Sequence, residues 1–379
     1  MIYLDNAATS QPLPEVVLEV LKYQTELWGN PSSIYDLGSE TKRALERAKI
    51  IIATSINAEP DEIYFTSGGT ESDNWALIST ARQMKEHGKN HIITTCIEHH
   101  AVLNTCKWLE TQGFEITYLP VDANGYVNPK DIKNAINKRT GLISVMMANN
   151  EIGTIQPIDR IADMVCDHNL IFHTDAVQAY CHTEIDVDLM GIDLLSVSAH
   201  KFHGPKGVGF LYINNFINKE PLLFGGQQQF GMRPGTENVP GIMGMAKAVE
   251  LSKYSDSEMT KLWYLFKTEL FDVIPNIHLN GGITRLANNL NVRFDGIQGE
   301  VLLAMLNERG ICASSGSACT SESGEPSHVL KAIGLTDEEA RSSLRFTMSE
   351  FTTKEEIYEA VKIIKDCVER LREVSITHD

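Results

Sequence analysis

Through the first two thirds of the chain, short apolar runs alternate with longer segments in which apolar residues recur every three or four positions. Ile63-Tyr64-Phe65, Ile92-Ile93-Thr94, Leu142-Ile143-Ser144-Val145-Met146, Leu170-Ile171-Phe172 and Leu194 to Val197 read as strands. Their alternation with helical patterns predicts an α/β fold with a mainly parallel sheet flanked by helices. After Glu250 the polar stretch Ser252-Lys253-Tyr254-Ser255-Asp256-Ser257 breaks the pattern. Met259, Leu262, Trp263, Phe266 and Leu270 then resume at helical spacing. A boundary is expected there, with a large domain over residues 15–257 and a smaller α+β domain made of residues 1–14 and 258–379. Thr336 with Glu339, and Thr353 with Glu356, have capping-box spacing. The second box opens a helix whose core face is Ile357, Ala360, Val361, Ile364, Val368 and Leu371.

At 379 residues the chain is long enough for two closely docked domains. It has no apolar run able to cross a bilayer and no basic leader, so neither a membrane span nor a secretory signal is expected. A net charge of -17, from 33 Lys+Arg against 50 Asp+Glu, opposes attraction to nucleic acid or anionic lipid. Seven cysteines, an odd number, read as reduced thiols in a cytoplasmic setting. There is no Cys-x-x-Cys pair, and no ligand spacing accompanies His99 and His100 or His168 and His173, so no structural metal is expected.

Open α/β sheets bind ligands at the carboxyl ends of their strands, which directs attention to the residues after each run. Leu194 to Val197 leads into Ser198-Ala199-His200-Lys201. A lysine amine there can form a Schiff base with a carbonyl, and the preceding Ser and His can hold a phosphate; alone, the lysine reads as a solvated surface charge. Ile63-Tyr64-Phe65 leads into Thr66-Ser67-Gly68-Gly69-Thr70-Glu71, where Gly69 and Thr70 start a helix whose amides favour an anion. Asp175, three residues before Gln178, can keep a pyridine nitrogen protonated or cap a helix. Asn149-Asn150 offers an amide to a phenolic oxygen or forms a polar turn. Glu98-His99-His100 offers an imidazole that can stack on a ring and shuttle protons, or a solvent-facing pair.

In this order the glycine-threonine loop, histidine, asparagine, Asp-x-x-Gln and Ser-x-His-Lys resemble the fold-type I pyridoxal-phosphate enzymes of the class V aminotransferase superfamily. Two further segments narrow the resemblance. Ser314-Ser315-Gly316-Ser317-Ala318-Cys319-Thr320-Ser321 carries one thiol in a small, polar run, unlike Cys96, Cys106, Cys166, Cys181, Cys312 and Cys367, which read as packing residues. Arg341-Ser342-Ser343-Leu344-Arg345-Phe346-Thr347 presents Arg345 in a strand-like pattern, and a guanidinium can grip a carboxylate through two parallel hydrogen bonds. Together with Tyr3 to Thr9, Gly29 to Ser33 and Arg233 to Asn238, the chain resembles the group I cysteine desulfurases of the NifS/IscS type nearly end to end.

That resemblance implies a large pyridoxal 5'-phosphate domain and a smaller domain carrying the nucleophilic cysteine. It makes Lys201 the cofactor-bearing lysine and Cys319 the residue that takes sulfur from L-cysteine as a persulfide, releasing L-alanine. Asp175 then pairs with the pyridine nitrogen, and His99 stacks on the ring and serves proton transfer. Asn150 and Gln178 contact the phenolic oxygen. Gly69, Thr70, Ser198 and His200 hold the phosphate, with Thr236 supplied by the second subunit of a homodimer. Arg345 and Asn30 hold the substrate carboxylate. Sulfur passes to an acceptor protein such as an iron-sulfur scaffold or a tRNA-thiolation enzyme.

The chain departs from the family pattern at Gln227-Gln228-Gln229-Phe230-Gly231, where Gly-Gln-Glu-Arg-Gly is common, and at Tyr35, where His is common. Rival readings are a selenocysteine lyase or β-lyase of the same fold, and a non-catalytic sulfur-carrier scaffold. A cysteine hydrolase using Cys319 and His328 has no evident orienting Asn or Asp.

Overall fold

The computed structural model describes residues 1–252, 256–315 and 325–376; Cys319 lies outside the described residues. Seven strands form one sheet in the order Ile63–Thr66, Gly209–Ile213, Leu194–Ser198, Ile171–Asp175, Thr140–Ser144, His91–Thr95 and Glu115–Leu119. Neighbours run parallel except around Gly209–Ile213, which is antiparallel to both of its partners. The fold is the expected α/β arrangement. Adjacent apolar residues occur in its strands because both sheet faces are covered and successive side chains point to opposite sides. Ile92 and Leu142 pack with Leu77, Val102 and Leu109 of the helices Gly69–Glu86 and His100–Thr111. Ile93, Ile143 and Phe172 pack on the other face with Ala48 and Ile52 of Asp36–Ser55, Ile161 of Ile158–Asp167 and Ile242 of Val239–Leu251.

Some expected boundaries move. The central strand ends at Ser144 rather than Met146, and Val145 and Met146 continue buried at the sheet's carboxyl edge. Asp175 caps no helix: it ends its strand, and its Oδ1 accepts the Val177 N–H at 2.9 Å in a tight turn. Cys166 is exposed, whereas Cys106, Cys181 and Cys367 are buried as packing residues.

A second hydrophobic core lies around the antiparallel sheet Ser343–Thr347, Asn289–Phe294 and Ile277–Leu279. The helices Asp256–Val273, Gly299–Glu308 and Lys354–Ile376 contribute Trp263, Phe266, Leu302, Ile357 and Ile364 to it. Both expected capping boxes form. Thr336 and Glu339 bond reciprocally, as do Thr353 and Glu356, at 2.9 and 3.1 Å. The amino terminus joins this core: Ile2–Tyr3 pairs in parallel with Ile311–Cys312, and Ile2 and Leu4 are buried there. Among the described residues no helix is long and apolar enough to cross a membrane.

The segment that follows Lys201 is tied to Glu350, just past the strand Ser343–Thr347. His203 Nδ1 lies 2.7 Å from the Gln11 carbonyl and Nε2 lies 2.6 Å from Glu350 Oε2. Both partners accept only, so both ring nitrogens donate and the ring is an imidazolium. Burial opposes that charge, but the Glu350 carboxylate and the Gln11 carbonyl raise the His203 pKa. Burial likewise opposes the charge of Glu350, yet His203 holds it down to about 2, while nearby His182 is kept low by its own burial. The pair therefore stabilises the fold most between the ordinary carboxylate and imidazole pKa values, roughly pH 4.3 to 6.5. The gain fades as pH rises through the folded-state pKa of His203 and as pH falls towards that of Glu350. Glu350→Gln is expected to lower stability near pH 6 by only about 1 kcal/mol, since the 56 % exposed Glu350 side chain is screened by solvent. Thermal melts of both proteins should converge by about pH 9; a gap that widens there contradicts the clamp.

Candidate active site

The carboxyl ends of the strands open into a cavity of about 550 Å³, within the range of small-ligand sites. Each wall is set by one strand-to-loop transition. Ile63–Thr66 turns through Gly68 into the helix Gly69–Glu86, whose first-turn amides have no acceptor within the helix. Gly68 has φ 143°, and a Cβ there would lie 3.2 Å from Ser198 Oγ. At Gly69 a Cβ would lie 2.6 Å from Val177 Cγ2. These two glycines bring the helix start against the adjoining loops and leave its amides bare.

His99 caps the helix His100–Thr111, its Nδ1 accepting the Ala101 N–H at 3.1 Å. That bond places the proton of the neutral ring on Nε2. Burial, with Lys201, His100 and His328 nearby, pushes the His99 pKa down to about 4, so the ring is neutral at pH 7. His200 is also neutral: burial and the charges of Lys201 and Lys206 push it to about 4, and its Nδ1 lies 3.2 Å from Thr9 Oγ1.

Asp175 is buried at the cavity floor, and burial raises its pKa to about 6, against the lowering effects of the Val177 N–H and the Lys201 charge. Asp73, from the second turn of the helix Gly69–Glu86, lines the same floor. Burial and Asp175 raise its pKa well above the ordinary carboxylate range. Two carboxylates in one apolar-walled site do not both ionise readily, so an incoming cationic ring nitrogen meets a net demand for positive charge.

Lys201 Nζ donates to the carbonyls of Ala7 and Ala8 at 2.7 and 2.9 Å, and Gln178 Nε2 donates to Ala7 O at 3.0 Å. Arg345 enters from the three-stranded sheet. It is 2 % exposed; Nη2 donates to Asp5 Oδ1 at 2.9 Å and Nη1 to the Asn150 carbonyl at 2.8 Å. Among the described residues its buried Nε has no hydrogen-bond partner, and Arg345 lines the cavity.

Gly69, Thr70, Ser198, His200 and Lys201 thus line one cavity with His99, Asn150, Asp175, Gln178 and Arg345. Asn30 and Thr236 do not. Asn30 is exposed and its Oδ1 accepts the Ser32 N–H at 2.9 Å; Thr236 is exposed in the loop before the helix Val239–Leu251. Sequence reasoning missed Asp73 and Asp5. Asp73 lies four residues after Gly69 and so on the same helix face, a readable signal. Asp5 stands in the Tyr3 to Thr9 segment that carries the resemblance, but no local pattern pairs it with Arg345, 340 positions away.

The donor set fits pyridoxal 5'-phosphate. Bare first-turn amides suit a phosphate, Asp175 a pyridinium, and Lys201 an aldehyde, while the orphaned Arg345 Nε suits the carboxylate of an amino acid. Fold and site together define a fold-type I pyridoxal-phosphate enzyme. The sequence model of the aminotransferase class-V family matches residues 2–359. The cysteine desulfurase IscS of Methanosarcina thermophila is 51% identical over 378 residues, covering 99% of this chain and 93% of that one. Among solved structures, a NifS-like protein superposes with a TM-score of 0.91 at 36% identity, covering 97% of this chain and 99% of that one. SspA in complex with cysteine gives 0.84 at 37% identity, covering 93% and 100%. The chain belongs to the class-V aminotransferase family, as one of its cysteine desulfurases.

Proposed function

We propose that the protein converts L-cysteine to L-alanine and holds the sulfur as a persulfide on Cys319 before an acceptor protein collects it. The observation that carries this reading is the convergence of Lys201, Asp175 and Arg345 on one cavity, in a chain half identical to a cysteine desulfurase along nearly its whole length.

Pyridoxal phosphate supplies a conjugated ring that accepts the electron pair left at the substrate Cα. The Gly69 and Thr70 amides with Ser198 and His200 hold its phosphate, Asp175 its ring nitrogen, and Asn150 and Gln178 its phenolic oxygen. His99 would stack on the ring, and its Nε2–H is available for proton transfer. Lys201 Nζ would bind the aldehyde, and the same amine is the group placed to take and return a proton at the substrate Cα. Arg345, its plane fixed by Asp5 and the Asn150 carbonyl, would hold the substrate carboxylate through its unpartnered Nε. The Cys319 thiolate attacks the substrate sulfur; the C–S electron pair stays with carbon, which is protonated to the alanine methyl.

Both flanks of the stretch bearing Cys319 support that role. Ser314 exchanges backbone hydrogen bonds with Arg345 at 2.7 and 3.1 Å, and the Ser327 hydroxyl bonds Glu151, next to Asn150.

We read residues 15–257 as the cofactor domain and residues 1–14 with 258–379 as the smaller domain, supported by the two large cores, one built around each sheet. We further propose a cytoplasmic homodimer in which Thr236 serves the partner's phosphate site. Exposed Leu18, Leu21, Trp28, Ile34, Phe224 and Phe230 are the apolar side chains such a dimer would cover. An iron-sulfur scaffold or a tRNA-thiolation enzyme is the proposed class of acceptor.

Protein loaded with pyridoxal phosphate and given L-cysteine with a thiol reductant is expected to yield alanine and sulfide in equal amounts. Pyruvate and ammonia in place of alanine would establish a β-lyase, and failure to take up cofactor a non-catalytic scaffold.

A further inference from the structure

The turn that cradles the phosphate in the proposed reading carries a carboxylate of its own. Glu71 stands in the first helical turn and lines the cavity, and its Oε2 accepts the Ser67 N–H at 2.8 Å. That bond pins the turn before Gly68 and Gly69, so the carboxylate has a structural task. It also places a negative charge at the helix end where a phosphate must bind, and both anions draw on the same positive end of the helix. Burial works against the charge, but Arg233 and Ser67 hold the Glu71 pKa below the ordinary value, so Glu71 is ionised.

Arg233 answers that charge. Its Nε and Nη2 donate to Glu71 Oε1 and Oε2 at 2.9 and 3.2 Å, a two-point contact with side chains 24% and 14% exposed. The pair spans 162 positions and joins the phosphate turn to the loop Arg233-Pro234-Gly235-Thr236. Arg345, another cation at the cavity, is already engaged by Asp5.

We propose that Arg233 is a positioning residue for cofactor binding: it cancels the Glu71 charge at the rim of the phosphate cradle, so that the turn keeps its carboxylate pin yet accepts a phosphate dianion. The inference rests on the pyridoxal-phosphate reading above and adds a specificity determinant outside the cavity lining. Its signature is dependence on the charge of Glu71 and on the phosphate of the ligand.

The test titrates cofactor-stripped protein with pyridoxal 5'-phosphate and with pyridoxal, which lacks the phosphate, and reads dissociation constants from absorbance. Arg233→Gln is expected to weaken pyridoxal 5'-phosphate binding by roughly tenfold or more while leaving pyridoxal binding unchanged. Glu71→Gln in the Arg233→Gln background is expected to recover affinity to within about threefold of wild type, because the uncancelled charge is gone. A double variant as weak as Arg233→Gln, equal weakening for both ligands, or no effect of Arg233→Gln would each overturn the proposal. A wild-type protein that takes up neither ligand would overturn the cofactor reading itself.

Discussion

Lys201→Ala is expected to abolish turnover and to leave pyridoxal phosphate bound by non-covalent contacts alone. Lys201 ends a sequence of constraints: a buried strand, a tight turn at Ala199–Lys201, a carbonyl that accepts from His182 Nε2 at 3.1 Å, and an amine that reaches Ala7 and Ala8. The backbone is therefore fixed independently of the amine, and an alanine keeps the turn. Losing both the covalent anchor and the proton-transfer group should lower the rate by at least ~10⁴-fold. Borohydride reduction of the loaded wild-type protein should attach the cofactor to the Lys201 peptide. Label on Lys206, which also lines the cavity, together with surviving activity in Lys201→Ala, would reassign the site.

Cys319→Ser should separate binding from chemistry. Every expected cofactor contact within the chain except Thr236 is a residue of the cavity lining and none of them is Cys319, so the variant should take up cofactor and cysteine normally. A serine hydroxyl is a far weaker nucleophile towards sulfur than a thiolate, and sulfide release should drop by at least ~10³-fold. Absorbance of the bound cofactor should be unchanged. Retained turnover would mean that another thiol acts or that the substrate loses sulfur without an enzyme nucleophile.

The sheet was legible in the sequence where burial on two faces put apolar residues side by side, as at Leu142-Ile143 and Leu194-Leu195. The site was legible for the same reason, because polar residues directly after such runs stand at the carboxyl edge of the sheet. Gly209–Ile213 was not identified as a strand, although Phe210, Leu211 and Tyr212 are buried. Its reversed direction comes from the short return after Gly207, which hydrophobicity does not encode. Contacts made across the whole chain were equally silent. Asp5 with Arg345, Glu71 with Arg233 and the Ala7 and Ala8 carbonyls with Lys201 each join segments that share no local pattern.

The central claim is that Lys201 and Cys319 act on one substrate in one cavity. Its most direct test is the mass of the Cys319 peptide after brief exposure of the loaded protein to L-cysteine and alkylation. The wild-type peptide should gain one sulfur atom, and the same peptide from Lys201→Ala should gain none. A persulfide that forms on Cys319 as readily without Lys201, or one that never forms in the wild type while alanine accumulates, would contradict it.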